Sequence, residues 1–564
     1  MERPWLKFYD QGVPAHIDYP QIPLDRFVTN SANKYPDATA IIFFNRKMTY
    51  RELDDLVNRF AAGLQQLGVK KGDRVAVHLP NCPQYPIAYY GVLRAGGIVV
   101  PCNPLYVARE LQHQIADAGA EVIVTLSAFY NTVNSIREAA GLKHVIVARI
   151  KDYFPPLLRV LFTLLKEKKE GHFADITGHA NTYWFLDFVN NAPAKPKPVE
   201  VTPEDTGVLM YTGGTTGIPK GAQLTHRNLV ANALQTKAWM ADIREGGEVV
   251  LTALPLFHSY GMTTCMNLAT ACASAMLLIP NPRDIKGLLE NINKHQPSLF
   301  PGVPTMYVAL INYPEVHKYN VRSIKACISG AAPLPVEVQT RFQELTGAKL
   351  VEGYGLSEAT PVTHANPIYG KNKIGTIGIP FPDTDAKIVD LDTGEQELPV
   401  GEIGELVVRG PQVMKGYWNM PTETANVLRN GWLYTGDIAR MDEDGYFAIV
   451  DRKKDMIIAG GYNIYPRDIE EVLYQHPKVK ECVAEGVPDA YRGETVKVYI
   501  VLKEGETATE EEIIEYCRQN LAKYKVPRLV EFRKELPKTM VGKILRRALV
   551  EEERRKLESQ QKEG

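Results

Sequence analysis

No two of the seven cysteines form a CxxC pair. Cys82, Cys102, Cys265, Cys272, Cys327, Cys482 and Cys517 are odd in number and scattered, and no histidines cluster beside them. That argues against a disulfide framework and a structural zinc, and fits a reducing cytosol. Net charge is nearly absent too: 65 basic side chains against 66 acidic ones leave a formal charge of -1, so nothing favours bulk nucleic-acid binding. The N-terminus, MERPWLKFYDQG, carries charges of both signs and no apolar h-region, and so does not read as a secretory signal. Fixed-period repeats and low-complexity tracts are also missing. One stretch lacks charge altogether: no Asp, Glu, Lys or Arg lies between Val249 and Pro282, which is long enough to span a bilayer. Pro255, His258, Gly261, Asn267 and many Thr, Ser and Ala residues interrupt it, so a buried strand–loop–helix is the better reading. The expectation is a soluble, cytoplasmic protein.

What is present is an alternation. Short apolar runs such as RVAVHLP, EVIVTL and LKHVIVA alternate with amphipathic helical patterns, as α/β layers around parallel sheet require. From about Lys373 to Val450 the texture changes to short β-like pieces (DAKIVD, GELVVRG, GYFAIVD) between Gly, Asp and Pro turns, which predicts a small antiparallel or barrel-like subdomain. The charged string DRKKD follows, and beyond it a compact α+β tail: Pro466 opens a helix with Ile469, Val472 and Leu473 on one face, VKVYIVLK alternates as a strand, and Thr509 with Glu512 makes a capping box. The expected domains are therefore a large α/β domain over 1–453 and a small, mobile α+β domain over 454–564. One segment, 150–172, stands apart as an apolar run (YFPPLLRVLFTLL) ending in KEKKEG. It reads either as a helix packed on the large domain, which is preferred slightly, or as an interfacial helix touching the inner face of a membrane.

The strongest chemical signal is YTGGTTGIPKG, Tyr211 to Gly221. An apolar strand precedes it, and Thr225 after it can cap a helix whose face is Leu229, Val230, Ala233 and Leu234. Its glycines, Gly213, Gly214 and Gly217 among them, let backbone approach phosphate closely; Thr212, Thr215 and Thr216 supply hydroxyls, and Lys220 a cation for the β/γ-phosphates. It is not a Walker A loop, because Pro219 precedes Lys220 and Gly221 follows it, leaving no Ser or Thr for magnesium. A flexible turn without a ligand is the bland alternative, and the length of the whole string disfavours it.

This loop resembles the phosphate loop of the acyl-adenylate-forming superfamily, which contains acyl-CoA synthetases, firefly luciferase and peptide-synthetase adenylation domains. Further motifs follow in that superfamily's order along nearly the whole chain: LPLFHSYG, PGVPTMY, SGAAPL, EGYGLSE, WLYTGD, DRKKDMIIAGGYNIYP and PKTMVGKILRR. The overall character is most similar to bacterial long-chain fatty-acid–CoA ligases. The resemblance implies that ATP and a fatty acid form acyl-AMP and pyrophosphate, and that coenzyme A then takes the acyl group. It implies that Glu358 holds Mg2+, that Ser357 contacts phosphate, and that Tyr354 with the backbone of Gly330 and Ala331 flanks adenine. Asp437, helped by Arg452, would take the ribose hydroxyls, and Lys543 would reach the substrate carboxylate and the α-phosphate. Lys454 would sit at a hinge, and Gly461 would line the pantetheine channel. A homodimer is a habit of this superfamily, though no interface is legible here.

Each assignment has a plainer rival. Glu358 could be a first-turn helix charge, Asp437 could close the turn Thr435–Gly436–Asp437, and Lys543 could be one solvated lysine in a basic helix start. His258, a lone histidine in an apolar run, is either a satisfied core residue or a gate to an acyl pocket. A long acyl tail needs an apolar tunnel, for which the stretch after Leu254, Trp239 and PGVPTMY are candidates that could equally be core. Rival functions are an aryl- or medium-chain-acid CoA ligase, an adenylating enzyme serving a carrier protein, a P-loop NTPase and a non-catalytic lipid binder.

Overall fold

Strands buried on both faces need no polar alternation, and the first runs behave so: Val122–Leu126 is buried throughout, and Arg74–His78 and His144–Ala148 at all but their first residues. In the computed structural model, which describes residues 2–212, 219–459, 462–489, 493–538 and 544–563, the chain divides into two compact units. One comprises Met1–Asp385 with Val408–Leu433, the other Ala386–Val407 with Tyr434–Gly564.

The first unit holds an eight-stranded sheet in the order Gly416–Tyr417, Lys220–Thr225, Thr206–Thr212, Ile98–Pro101, Arg74–His78, Val122–Leu126, His144–Ala148 and Thr182–Trp184. Its six later members pair in parallel, whereas Thr206–Thr212 and Lys220–Thr225 pair antiparallel, with Thr212 opposite Lys220. The glycine-rich string therefore joins the two arms of a hairpin at the end of the parallel run. Thr225 caps the next helix, His226–Trp239, through a reciprocal box with Asn228, and Leu229, Val230 and Ala233 are buried as expected. Two four-stranded sheets complete this unit. The charge-poor Val249–Pro282 stretch forms the strand Val249–Thr252, a helical segment from Ser259 to Ala271, and the strand Ala275–Leu278. Among the described residues no helix is long and apolar enough to cross a membrane.

In the second unit, Phe447–Arg452 runs antiparallel to Trp432–Met441. Beyond it, Ile457, Ile469, Leu473, Val498 and Ile513 build a core between the Val479–Asp489 and Gly493–Leu502 hairpin and the helices Pro466–Tyr474 and Glu510–Asn520. Thr509 caps the latter helix by accepting from the Glu512 N–H, while the Glu512 carboxylate pairs with Lys478 at 2.7 Å. The position expected for a boundary, Lys454, lies inside this unit, where Arg467 donates to the Asp451 carboxylate and the Ile449 carbonyl, both at 2.9 Å. The mixed α/β character, with a small α+β unit at the C-terminal end, is the expected one.

The segment 150–172 folds as a short turn, Ile150–Tyr153, and a helix, Pro156–Leu165. Phe162 alone among the helix residues is buried, against Phe154 and His172, while Leu157 and Leu164 are 73% and 74% exposed. The preferred packed-helix reading thus holds for one side of the helix, and the apolar stripe opposite faces outward.

Candidate active site

Lys220 begins its strand and is nearly buried, because the hairpin turns its side chain beneath the segment Gly416–Tyr417, which pairs with the same strand. Its ammonium forms an ion pair with Glu423 and lies over the Tyr417 ring, 5.4 Å from the centroid. The Tyr417 hydroxyl in turn donates to Glu358 Oε1 at 2.8 Å. Burial, with the Glu358 carboxylate beside it, pushes the Tyr417 phenol well above its ordinary value, so it stays a donor. Lys220 and Glu358 thus belong to one array with alternating charge. Tyr417 and Glu423 are the residues that sequence reading missed. Glu423 reads as a first-turn helix charge and Tyr417 as a strand end; only the return of the Gly416–Tyr417 strand to the hairpin brings them here.

Around Glu358 the other motifs converge. Ser357 Oγ lies 3.0 Å from Ser259 Oγ of LPLFHSYG, and the Tyr260 hydroxyl donates to the carbonyls of Ile328 at 2.6 Å and Gly302 at 3.3 Å. That tyrosine packs against Gly330, where a Cβ would meet its ring at 3.0 Å, and the next residue, Ala331, has φ +66°. A left-handed alanine costs of order 1–3 kcal/mol and persists only where its surroundings enforce it, so the turn is a built feature. Gly355 is equally required, since a Cβ there would lie 2.1 Å from the Pro361 carbonyl oxygen. Tyr354, half-buried, pairs in register with His364, ring edge to face at 6.0 Å.

His258 is exposed, which corrects the core alternative: it starts the Ser259–Gly261 turn, its Nδ1 accepting from the Tyr260 N–H at 3.3 Å. Trp239 and Tyr307, by contrast, are plain core, the first stacked on Phe381 at 4.7 Å and the second packed with Phe300 and Phe342.

A divalent cation can be tested against this donor set. Among the described residues no three His, Cys, Asp or Glu side chains gather as a metal cage. A single carboxylate, Glu358, suits an ion that keeps several waters and takes its other ligands from phosphate, which is the habit of Mg2+ and not of Ca2+ or Zn2+.

In the second unit, Asp437 lies within the strand Trp432–Met441, opposite Arg452, whose Nε is 3.4 Å from its carboxylate. Gly436, at φ +72°, precedes it, and Thr435 Oγ1 accepts the Asp437 N–H at 3.1 Å. The Asp437 carboxylate thus follows a tight turn and stands beside a cation. Gly213, Gly214, Thr215, Thr216, Gly217, Gly461 and Lys543 lie outside the described residues.

Over residues 28–418 the sequence matches the AMP-binding enzyme family. The chain belongs to that family. Residues 468–543 match the family's C-terminal domain. A relative from Bacillus subtilis (strain 168), named long-chain-fatty-acid–CoA ligase, is 51% identical over 98% of each chain. One of the same name from Escherichia coli O6:H1 is 44% identical over 99% of this chain and 100% of its own. Among solved structures, ATP-bound MatB from Rhodopseudomonas palustris superposes with a TM-score of 0.81 at 29% identity, covering 94% of this chain and 98% of its own. The anthranilate CoA ligase AuaEII, in complex with anthranoyl-AMP, gives 0.80 at 26% identity, covering 94% and 97%. These AMP-binding enzymes share the large-plus-small α/β architecture read here.

Proposed function

We propose that this AMP-binding enzyme is a long-chain fatty-acid–CoA ligase: it joins a fatty acid to AMP from ATP with release of pyrophosphate, then passes the acyl group to coenzyme A, leaving AMP. The observation that carries this reading is full-length likeness, at 51% identity, to a relative of that name. Lys220, Tyr417 and Glu358, gathered around one hairpin, supply polar chemistry suited to a triphosphate.

The acid is already ionised at neutral pH, a carboxyl pKa being about 4, so no general base is needed to make the nucleophile. The barrier is the approach of an anion to a polyanion. Lys220 and the amide-rich loop would neutralise the β/γ end, Ser357 would contact phosphate, and Tyr354 with the Gly330–Ala331 backbone would flank adenine. Asp437 and Arg452 would hold the ribose, and Lys543 would draw the carboxylate onto the α-phosphorus. Mg2+ on Glu358 would supply further charge neutralisation of the triphosphate. The carboxylate oxygen bonds to the α-phosphorus as the bond to pyrophosphate breaks. In the second step the coenzyme A thiol loses its proton to solvent, its sulfur bonds to the acyl carbon, and the bond from that carbon to the phosphate oxygen breaks, releasing AMP. That attack needs another path to the carbonyl, with Gly461 lining the pantetheine channel, His258 gating the acyl pocket and Lys454 acting as a hinge. Lys454→Pro is expected to lose thioester formation and keep adenylation; equal loss of both would remove the hinge.

The decisive assay measures AMP and pyrophosphate formation with ATP, magnesium and coenzyme A across acids from acetate to oleate, with a cinnamate added. The cinnamate matters because a relative from Amycolatopsis, 37% identical, is named feruloyl-CoA synthase. Turnover restricted to long-chain acids is expected. Turnover of cinnamate alone, or release of pyrophosphate with no acid, overturns the substrate class.

We also propose that the helix Pro156–Leu165 lies on the cytoplasmic face of a membrane, where the substrate resides. Leu157, Val160, Leu161, Leu164 and Leu165 are all exposed at helical spacing, and Arg159, Lys166, Lys168 and Lys169 beside them complement anionic headgroups. Ten residues rise about 15 Å, half a bilayer core, so the helix lies along the surface. A homodimer closing over the same face is the competing occupant.

A further inference from the structure

The described residues on either side of Lys543, ending at Lys538 and resuming at Ile544, meet at one place in the second unit. Lys538 bridges Ile544, and the Leu545 N–H donates to the Pro537 carbonyl at 2.8 Å, so the two flanks close on each other. Both are then tied to the strand Val479–Asp489. On the entering side Lys538 Nζ pairs with Glu481 at 2.5 Å. On the leaving side Arg546 makes a fork: Nη1 donates to the Ala484 carbonyl at 2.5 Å, and Nη2 to both oxygens of Glu470, at 2.6 and 2.8 Å. Glu470, on the helix Pro466–Tyr474, also accepts the Ala484 N–H at 2.8 Å, so helix, strand and arginine close one ring of hydrogen bonds.

The pair is sheltered, the side chains of Arg546 and Glu470 being 25% and 13% exposed. A surface ion pair would hold little, but a sheltered guanidinium that forks between a carboxylate and a backbone carbonyl, with the carboxylate also accepting a backbone N–H, fixes direction as well as distance. Arg546 lies three residues beyond Lys543, and its Nε is 3.9 Å from Asp455, the residue after the proposed hinge lysine. Nothing in the reaction as derived above uses Glu470.

We propose that the Glu470–Arg546 pair is a positioning device that sets the departure point of the Lys543 segment, and so serves adenylation and not thioester formation. It acts through Lys543 and rests on the role assigned to that lysine above. A lysine reaching for a carboxylate and the α-phosphate gains only if its placement holds, since about 1 Å of misplacement can cost on the order of 100-fold.

The test uses the full-length enzyme and separates the half-reactions: adenylation as pyrophosphate release with oleate and ATP, and thioester formation from supplied oleoyl-AMP and coenzyme A. Glu470→Gln keeps the shape and an acceptor for Ala484 and removes the charge. It is expected to slow adenylation by about 10–100-fold through kcat, with KM for ATP little changed and the thioester step unaffected. Arg546→Lys, which keeps the charge and loses the fork, is expected to follow it, and carries the test if the first variant does not fold. In a Lys543→Ala background Glu470→Gln should cost nothing more, which a general loss of structure would not give. Both half-reactions falling together, or adenylation at the parent rate, overturns the proposal. If Lys543→Ala abolishes adenylation while Glu470→Gln spares it, the positioning role alone fails. If Lys543→Ala spares adenylation, the role of that lysine fails first and takes the positioning role with it.

Discussion

Replacing Leu157 and Leu164 together by glutamine removes the two most exposed apolar side chains of the Pro156–Leu165 helix, one on each end of its outward stripe. Full burial of a leucine is worth about 2 kcal/mol. With 73% and 74% of each residue in water in the free protein, the two together can contribute about 3 kcal/mol on entering an apolar layer. That corresponds to a loss on the order of 100-fold in membrane partitioning. Glutamine is nearly as good a helix former as leucine, and neither site is packed, so folding stability should move by no more than about 0.5 kcal/mol. Cosedimentation with vesicles of mixed anionic and zwitterionic phospholipid reads the partition, and thermal unfolding reads the fold. Binding of the parent should also weaken with salt, because Lys166, Lys168 and Lys169 act through water on the headgroups. A double variant that partitions as the parent does would refute the argument. So would a parent that binds no vesicle and whose dimer, seen by light scattering, dissociates on the same substitutions.

Four further outcomes can be measured on the large unit. Burial holds the imidazoles of His78 and His226 down to about 4 and that of His364 to about 3, from an ordinary 6.5. The unfolded chain therefore takes up protons first, and stability present above about pH 6.5 is lost as pH falls towards 4, by up to roughly 1.4 kcal/mol per pH unit for each histidine; a thermal midpoint unchanged between about pH 7 and 5 would contradict this. Glu358→Gln should keep the Tyr417 hydrogen bond but cost several kcal/mol, about 100-fold or more, in adenylation. Tyr417→Phe should instead raise the magnesium needed for pyrophosphate release by about 10–100-fold, and a parent-like magnesium titration would remove Tyr417 from the site. Thr225→Ala deletes a buried cap and should destabilise the large unit by about 1–2 kcal/mol, seen as an earlier urea transition.

Much of the fold was legible because its signals are local. Thr225 caps its helix, Pro466 opens another, and the buried strands appear as unbroken apolar runs, each settled by neighbours a few residues away. The glycine-rich string stands out in the sequence because phosphate chemistry demands particular residue types at short spacing, and EGYGLSE stands out through the family resemblance. The partners of those motifs do not. Glu358 meets Tyr417 across 59 residues, Ser357 meets Ser259 across 98, and Lys220 meets Glu423 across 203. No periodicity or cap connects such positions; strand order in the sheet does.

The same division runs through the exposed groups. By itself the sequence determined that His258 sits in an apolar run and that 150–172 is apolar and ends in basic charge. Only the tertiary structure decided that His258 starts a turn in the open, and that one side of the Pro156–Leu165 helix is left uncovered. Composition along the chain sets which surfaces are apolar, but which of them finds a partner depends on how distant elements fill the space around each other.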